Sequence, residues 1–179
     1  MRLLPALLLS ATVACANRRP PKAPTDAPIP PFSSAEIARA MPVGLHLRFQ
    51  LVEAGGPPIT SDWDVLQADA DAVTIRYTMR DAQGEPLGEP QERTHTWSEL
   101  VTHARFPVEA TTWSDGPATV PAGTFAQARS YVVGRVEGGA PVEDRYVFSL
   151  RHPGPPIEMT TTRFDAELTR MVLVERVEP

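Results

Sequence analysis

Cysteine is almost missing from this chain: Cys15 is the only one in 179 residues. An internal disulfide is thereby excluded, and a body exported to an oxidising compartment must draw its stability from its core. Lysine is as scarce, with Lys22 alone, and the arginines are spread along the sequence rather than bunched. With a formal charge of −5, this argues against a nucleic-acid partner, because phosphate contacts need clustered basic groups. No apolar run approaches the roughly 20 residues of a membrane-spanning helix. Glycine-rich phosphate loops, Gly-x-Ser-x-Gly elbows, His-Glu-x-x-His helices and Cys/His metal spacings are missing too, so no cofactor and no metal are expected. There is no internal repeat and no strand–helix–strand alternation of the kind that builds a parallel sheet.

What is present starts at the amino terminus. Residues 3–14 form an apolar run behind one charge, Arg2, and end in small residues. The run reads as a secretory signal peptide over residues 1–14. Cys15 follows Val13-Ala14 directly, and this junction resembles the lipobox of bacterial lipoproteins, whose cysteine gains a diacylglyceryl group and becomes the first residue of the mature protein. Thr12 stands where Leu, Val or Ile is usual. The resemblance implies lipidation at Cys15 and a body tied to a membrane, since two or more acyl chains hold stably where one is marginal. Plain secretion is the alternative. Ala16-Asn17 after the cysteine, with no aspartate, resembles the address of an outer-membrane lipoprotein facing the periplasm.

Residues 15–32 read as the lipidated cysteine and a proline-rich tether. Pro20, Pro21, Pro24, Pro28, Pro30 and Pro31 favour polyproline II, which at ~3.1 Å per residue reaches roughly 50 Å. Arg18, Arg19 and Lys22 sit where anionic headgroups would attract them by about 1 kcal/mol per charge; a merely solubilising tether is the plainer reading.

Residues 33–179 read as one antiparallel β domain. Ser33-Ser34-Ala35-Glu36 is a capping box opening a short helix that Pro42 and Gly44 stop. Leu45, Leu47, Phe49 and Leu51 then alternate with polar residues, and Val73, Ile75, Tyr77 and Met79 do the same. Strands are expected over 45–51, 61–67, 73–80 and 92–96. A second capping box, Thr96-Trp97-Ser98-Glu99, opens a helix whose apolar face is Trp97, Leu100, Val101 and Ala104. Further strands are expected at 111–113, 118–120, 127–136, 142–151, 157–164 and 168–177, with a turn at Ser114-Asp115-Gly116-Pro117 between the first two. The expected architecture is mainly β: a curved antiparallel sheet, either a half-barrel over its two short helices or a closed barrel.

The chemistry-bearing residues are few. His95 and His103 flank the second helix with Glu99 between them, but Glu99 is the capping residue and the three need not share a face, so a metal site is not expected. His46 falls on the polar side of its strand and is expected to be solvated; His152 is expected in a loop. Asp62 and Asp64 share a strand face and offer an acid pair or weak cation site, against the plainer reading of a solvated face. Glu143 and Asp144 lie near a strand start. A hydrolase built on His103 or His152 is the least favoured reading, and the chain is not expected to be an enzyme.

Two loops have more character: Val120-Pro121-Ala122-Gly123-Thr124-Phe125 and Pro153-Gly154-Pro155-Pro156. Both read first as turns. Together with Tyr131, Phe148, the closing Met171-Val172-Leu173-Val174, and Thr96 to Leu100 followed by His103, they resemble a group of uncharacterised bacterial envelope lipoproteins, over roughly residues 42–178. In outline that group is similar to the periplasmic carriers of lipoproteins, although this chain lacks long helices to plug its sheet; fold likeness does not transfer function. The anchor, the tether and the apolar alternation point instead to a non-enzymatic envelope lipoprotein, expected to be a monomer, that binds a lipid, a lipoprotein or an assembly component. The competing reading is a structural, partner-docking lipoprotein whose core is filled by its own side chains.

Overall fold

The computed structural model describes residues 30–179, so the signal peptide, Cys15 and the tether up to Ile29 lie outside the described residues. The elements in chain order are α1 (Ser34–Ala40), β1 (His46–Glu53), β2 (Ile59–Ala68), β3 (Ala72–Arg80), β4 (Gln91–Thr96) and α2 (Trp97–His103). After a single 3-10 turn at Val108–Ala110 come β5 (Thr111–Val120), β6 (Gly123–Glu137), β7 (Ala140–Ser149), β8 (Glu158–Arg163) and β9 (Ala166–Val177).

Both helices begin with the reciprocal caps that the sequence announces. Glu36 N donates to Ser33 Oγ at 3.3 Å and Ser33 N donates to Glu36 Oε2 at 2.8 Å. Thr96 and Glu99 repeat the arrangement at 3.2 and 2.8 Å. Each helix is seven residues long, far too short to persist alone, so each is held by what it covers.

The strands form one antiparallel sheet in the order β4-β3-β2-β1-β9-β8-β7-β6-β5. Every neighbour is consecutive in sequence except β1 and β9, so two meanders are joined along that pair. Between β4 and β5 the chain must pass from one edge of the sheet to the other, and α2 is part of that crossing. Period-two alternation puts Leu47, Phe49, Val65, Val73 and Ile75 on one buried face, while Arg48, Arg76 and Thr94 point to the other. Tyr77 on β3 and Tyr146 on β7 line the same space, although five strand spacings, roughly 24 Å on a flat sheet, separate their strands. The sheet therefore curls around its apolar face. It does not close, because β4 and β5 remain as edges; of the two expected solutions the half-barrel is the one formed.

One expected turn is absent. Ser114-Asp115-Gly116-Pro117 does not break the chain into two strands: β5 runs through it, with a register shift between Gly116 and Ala118. As an edge strand β5 has one side without a partner, so a proline there costs no ladder hydrogen bond, and the irregularity absorbs its geometry. The real turn is Pro121-Ala122 alone, with Val120 paired to Gly123. Gly123 adopts φ +138°, a conformation that side chains resist.

Candidate functional site

The crossing segment is pinned at both ends. At its start Trp97 is buried, and its Nε1 donates to the Asp69 carbonyl in the β2–β3 turn at 3.0 Å. At its far end Phe106 meets Tyr131 and Tyr146 with ring centroids 5.0 and 4.8 Å away. Phe32, just before α1, packs edge-on against Phe148 at 5.9 Å. The two helices are thus hung over the concave face from aromatic anchors, and they touch each other.

Beneath them a cavity of about 560 Å³ remains, inside the roughly 300–1,000 Å³ range of small-molecule sites. Its floor is Trp63 of β2, Ile75, Tyr77 and Met79 of β3, Tyr146 and Phe148 of β7, Met159 of β8 and Met171 of β9. Ile37 of α1 with its C-cap Met41, and Leu100 of α2 with its C-cap Ala104, roof it, and Gly154, Pro155 and Pro156 form an end wall. Met41, Met79, Met159 and Met171 are all the methionines of the chain besides Met1, and every one lines this space. Methionine is unbranched and polarisable, so a wall built from it adapts to the shape of what it meets.

A row of rings crosses the first meander on the same face. Phe49 and Trp63 are 4.8 Å apart, Trp63 and Tyr77 5.2 Å, Tyr77 and His95 6.2 Å. Two of the polar groups inside are paired: Trp63 Nε1 donates to Ser61 Oγ at 2.9 Å, and the Tyr77 hydroxyl bonds His95 Nε2 at 3.1 Å. Burial raises the Tyr77 hydroxyl above its ordinary pKa. For His95, burial first and then the charges of His103 and Arg93 hold the pKa down, with Glu99 opposing; the ring is neutral at pH 7. Apart from Ser61, Trp63 and Tyr77, the hydrogen-bonding side chains of the first meander and the crossing segment that reach the cavity are Glu89, Gln91, Arg93, His95 and His103.

The structure sorts the other residues singled out in the sequence. His95 and His103 line one space, while Glu99 is used as the cap and does not line it. His46 lies on the polar face of β1 and keeps 24 % of its side chain exposed, with Nδ1 2.7 Å from Asp64 Oδ1. Asp62 is not on a solvated face, being 4 % exposed. It accepts from Arg48 Nε at 2.6 Å and Arg80 Nε at 3.0 Å, so its lone pairs serve two guanidiniums rather than an acid dyad or a cation. The long arginine stems of neighbouring strands cover it, which alternation alone does not reveal. Asp144 is buried and bonded to Arg135 and Thr161, whereas Glu143 on the opposite face is exposed. His152 sits in the loop after β7, bonded to Ser149 and edge-on to Phe125. Among the described residues no group of three or more His, Cys, Asp or Glu side chains is placed to hold a metal ion, and no helix is long and apolar enough to cross a membrane. Cys15 lies outside the described residues. The sequence leaves open whether the sheet encloses a pocket; its signals are two helices too short to cover an apolar sheet face and methionine recurring on apolar faces.

Comparison with known protein families and with curated proteins finds no match. Among solved structures the fold is similar to that of a protein assigned as exported, with a YmcC-like fold, from Bacteroides fragilis. The TM-score is 0.50 at 10% identity, covering 76% of this chain and 97% of that one. It is also similar to a protein assigned as a lipoprotein from Parabacteroides distasonis, with a TM-score of 0.51 at 10% identity, over 76% and 96% of the two chains. At such identity the likeness concerns the fold.

Proposed function

We propose that this chain is a monomeric, lipid-anchored protein of the bacterial cell envelope that holds an apolar chain, from a lipid or from the acyl group of a lipoprotein, in the cavity under α1 and α2, and that it binds without transforming what it holds. Anchoring through Cys15 to the outer membrane, with the body in the periplasm, is part of the same reading. The observation that carries it is the unfilled apolar space of about 560 Å³ with its four methionines. Burial of an acyl chain there is worth ~0.8 kcal/mol per methylene, enough for useful affinity after the costs of association. The same space weighs against the structural alternative, whose core would be filled by its own side chains. The fold shared with proteins assigned as exported and as a lipoprotein supports the envelope setting.

The test is native mass spectrometry of the full chain carrying Cys15→Ser, released from the envelope without detergent. Adducts of fatty-acyl mass are expected, lost when Ala104 is enlarged. A bare protein mass, with no fluorescence gain from the neutral probe N-phenyl-1-naphthylamine, would sink the reading.

A further inference from the structure

We infer that the occupant of this cavity is a single-chain amphiphile with an anionic head, and that Arg93 receives the head; this rests on the reading of the cavity as an apolar-chain site. The argument starts from how the lining is divided. The α1 side of the roof, the end wall and the floor strands β7, β8 and β9 contribute Ile37, Met41, Phe148, Pro155, Met159 and Met171, and the hydroxyl of Tyr146 is the one polar side-chain group among them. The charged and titratable lining residues other than tyrosine come from one short stretch of chain, Glu89 to His103, that is, the approach to β4, β4 itself and α2. Because β4 is an edge strand, that stretch borders solvent. The cavity is therefore apolar within and polar along one lip.

The lip is rich in donors. Arg93 offers five N–H groups, and among the described residues only one bond of its guanidinium is present, from Nη2 to Gln91 Oε1 at 2.8 Å. Among the described residues it has no carboxylate partner, whereas Arg48, Arg76, Arg80, Arg129, Arg135 and Arg170 each do. His95 spends Nε2 on Tyr77, which leaves Nδ1, and His103 stands exposed beside the same space. Two acids lie nearby. Glu99 is committed to the Thr96 cap, and Glu89 is exposed without an ion pair among the described residues. A fork of free guanidinium donors at the mouth of a greasy slot matches a carboxylate or another oxyanion on an alkyl chain.

The experiment displaces N-phenyl-1-naphthylamine from the full Cys15→Ser chain with dodecanoate, dodecan-1-ol and dodecyltrimethylammonium at pH 7.5, and repeats it with Arg93→Gln. The acid is expected to compete best. Arg93→Gln is expected to weaken it roughly threefold to tenfold, the range for a charge-assisted contact at an exposed site, while leaving the alcohol unchanged. Circular dichroism and Tm of the variant should match the parent, since Arg93 is exposed. Equal competition by alcohol and acid, a cation that competes best, or an equal loss for acid and alcohol in Arg93→Gln would overturn the head assignment while the cavity reading stands. No binding of the neutral probe would overturn both.

Discussion

Enlarging Ala104 separates an open cavity from a filled core by the sign of one free energy. Ala104 is the C-cap residue of α2, half-buried, and its side chain faces the cavity. Leucine adds three carbons. Each is worth about 0.8 kcal/mol if fully buried, and ordering the longer side chain costs about 0.5–1 kcal/mol. With burial about half complete at the roof, Ala104→Leu should stabilise the ligand-free protein by up to about 1 kcal/mol, or a Tm rise of roughly 2–4 °C for a domain of this size. In a core already full, the same change would be overpacking and would destabilise by about 1–3 kcal/mol. Helix propensity does not confound the comparison, because the C-cap lies outside the helical φ/ψ range, with φ −102° and ψ 20°. The assay is thermal and urea unfolding of protein refolded from denaturant, so that any bound amphiphile has been stripped. N-phenyl-1-naphthylamine binding is measured in parallel and should fall. A lowered Tm with binding intact would refute the placement of the void beneath Ala104.

Other consequences follow from the same contacts. Burial by itself would push the Asp62 carboxyl up, yet the hydrogen bonds from Arg48 and Arg80 hold it below the usual range; its contribution to stability is then present above the unfolded pKa of ~3.9 and lost as pH falls through the lower folded value. Asp62→Asn should cost about 1–2 kcal/mol at pH 7, discounted because both arginines are over a third exposed, and acid titration of unfolding should be less steep below pH 4 than in the parent; parallel curves would refute the role of this carboxylate. Thr96→Ala removes one half of the α2 capping box and should cost about 1 kcal/mol, read as a lower Tm, with an unchanged Tm showing that tertiary packing alone holds the helix. At the β8–β9 hairpin, Phe164 and Asp165 take φ +50° and +63° between the paired Arg163 and Ala166, a two-residue turn that suits Asn-Gly. The double change Phe164→Asn with Asp165→Gly should therefore raise stability by about 1 kcal/mol, whereas a neutral or negative effect in urea unfolding would show that the exposed phenylalanine makes a contact worth more than the backbone strain.

The helix starts and most strands were legible because they depend on neighbours in sequence. A serine or threonine three residues before a glutamate is a local signal, and so is the alternation from Leu45 to Leu51 or from Val73 to Met79. The misreading at Ser114 to Pro117 has a tertiary cause: glycine and proline mark a turn only where the strand needs both its sides paired, and β5 does not. Asp62 was misread for a similar reason. Alternation puts it on the polar face, but its burial there is set by Arg48 and Arg80, which come from the neighbouring strands β1 and β3. The pairing of β1 with β9, which joins residues more than a hundred apart, has no local signature at all, and without it the strand order and the place of the cavity cannot be inferred.

The void follows from a disproportion between the sheet and its cover. Nine strands curl around an apolar face, and among the described residues the regular structure available to cover it is two helices of seven residues and one 3-10 turn. Aromatic anchors at Trp97 and Phe106 bind the crossing segment to the two meanders, so the roof cannot sink further without giving up ring contacts of about 0.5–1.5 kcal/mol each. Unfilled apolar surface costs about 20 cal/mol per Å² of cavity wall, a standing penalty that an occupant would remove. Any such occupant stabilises the fold by mass action, about 2.7 kcal/mol when its concentration is 100 times its Kd. Loading and stability are then two readings of one equilibrium, and the short helices that make the cover incomplete are the reason there is something to load.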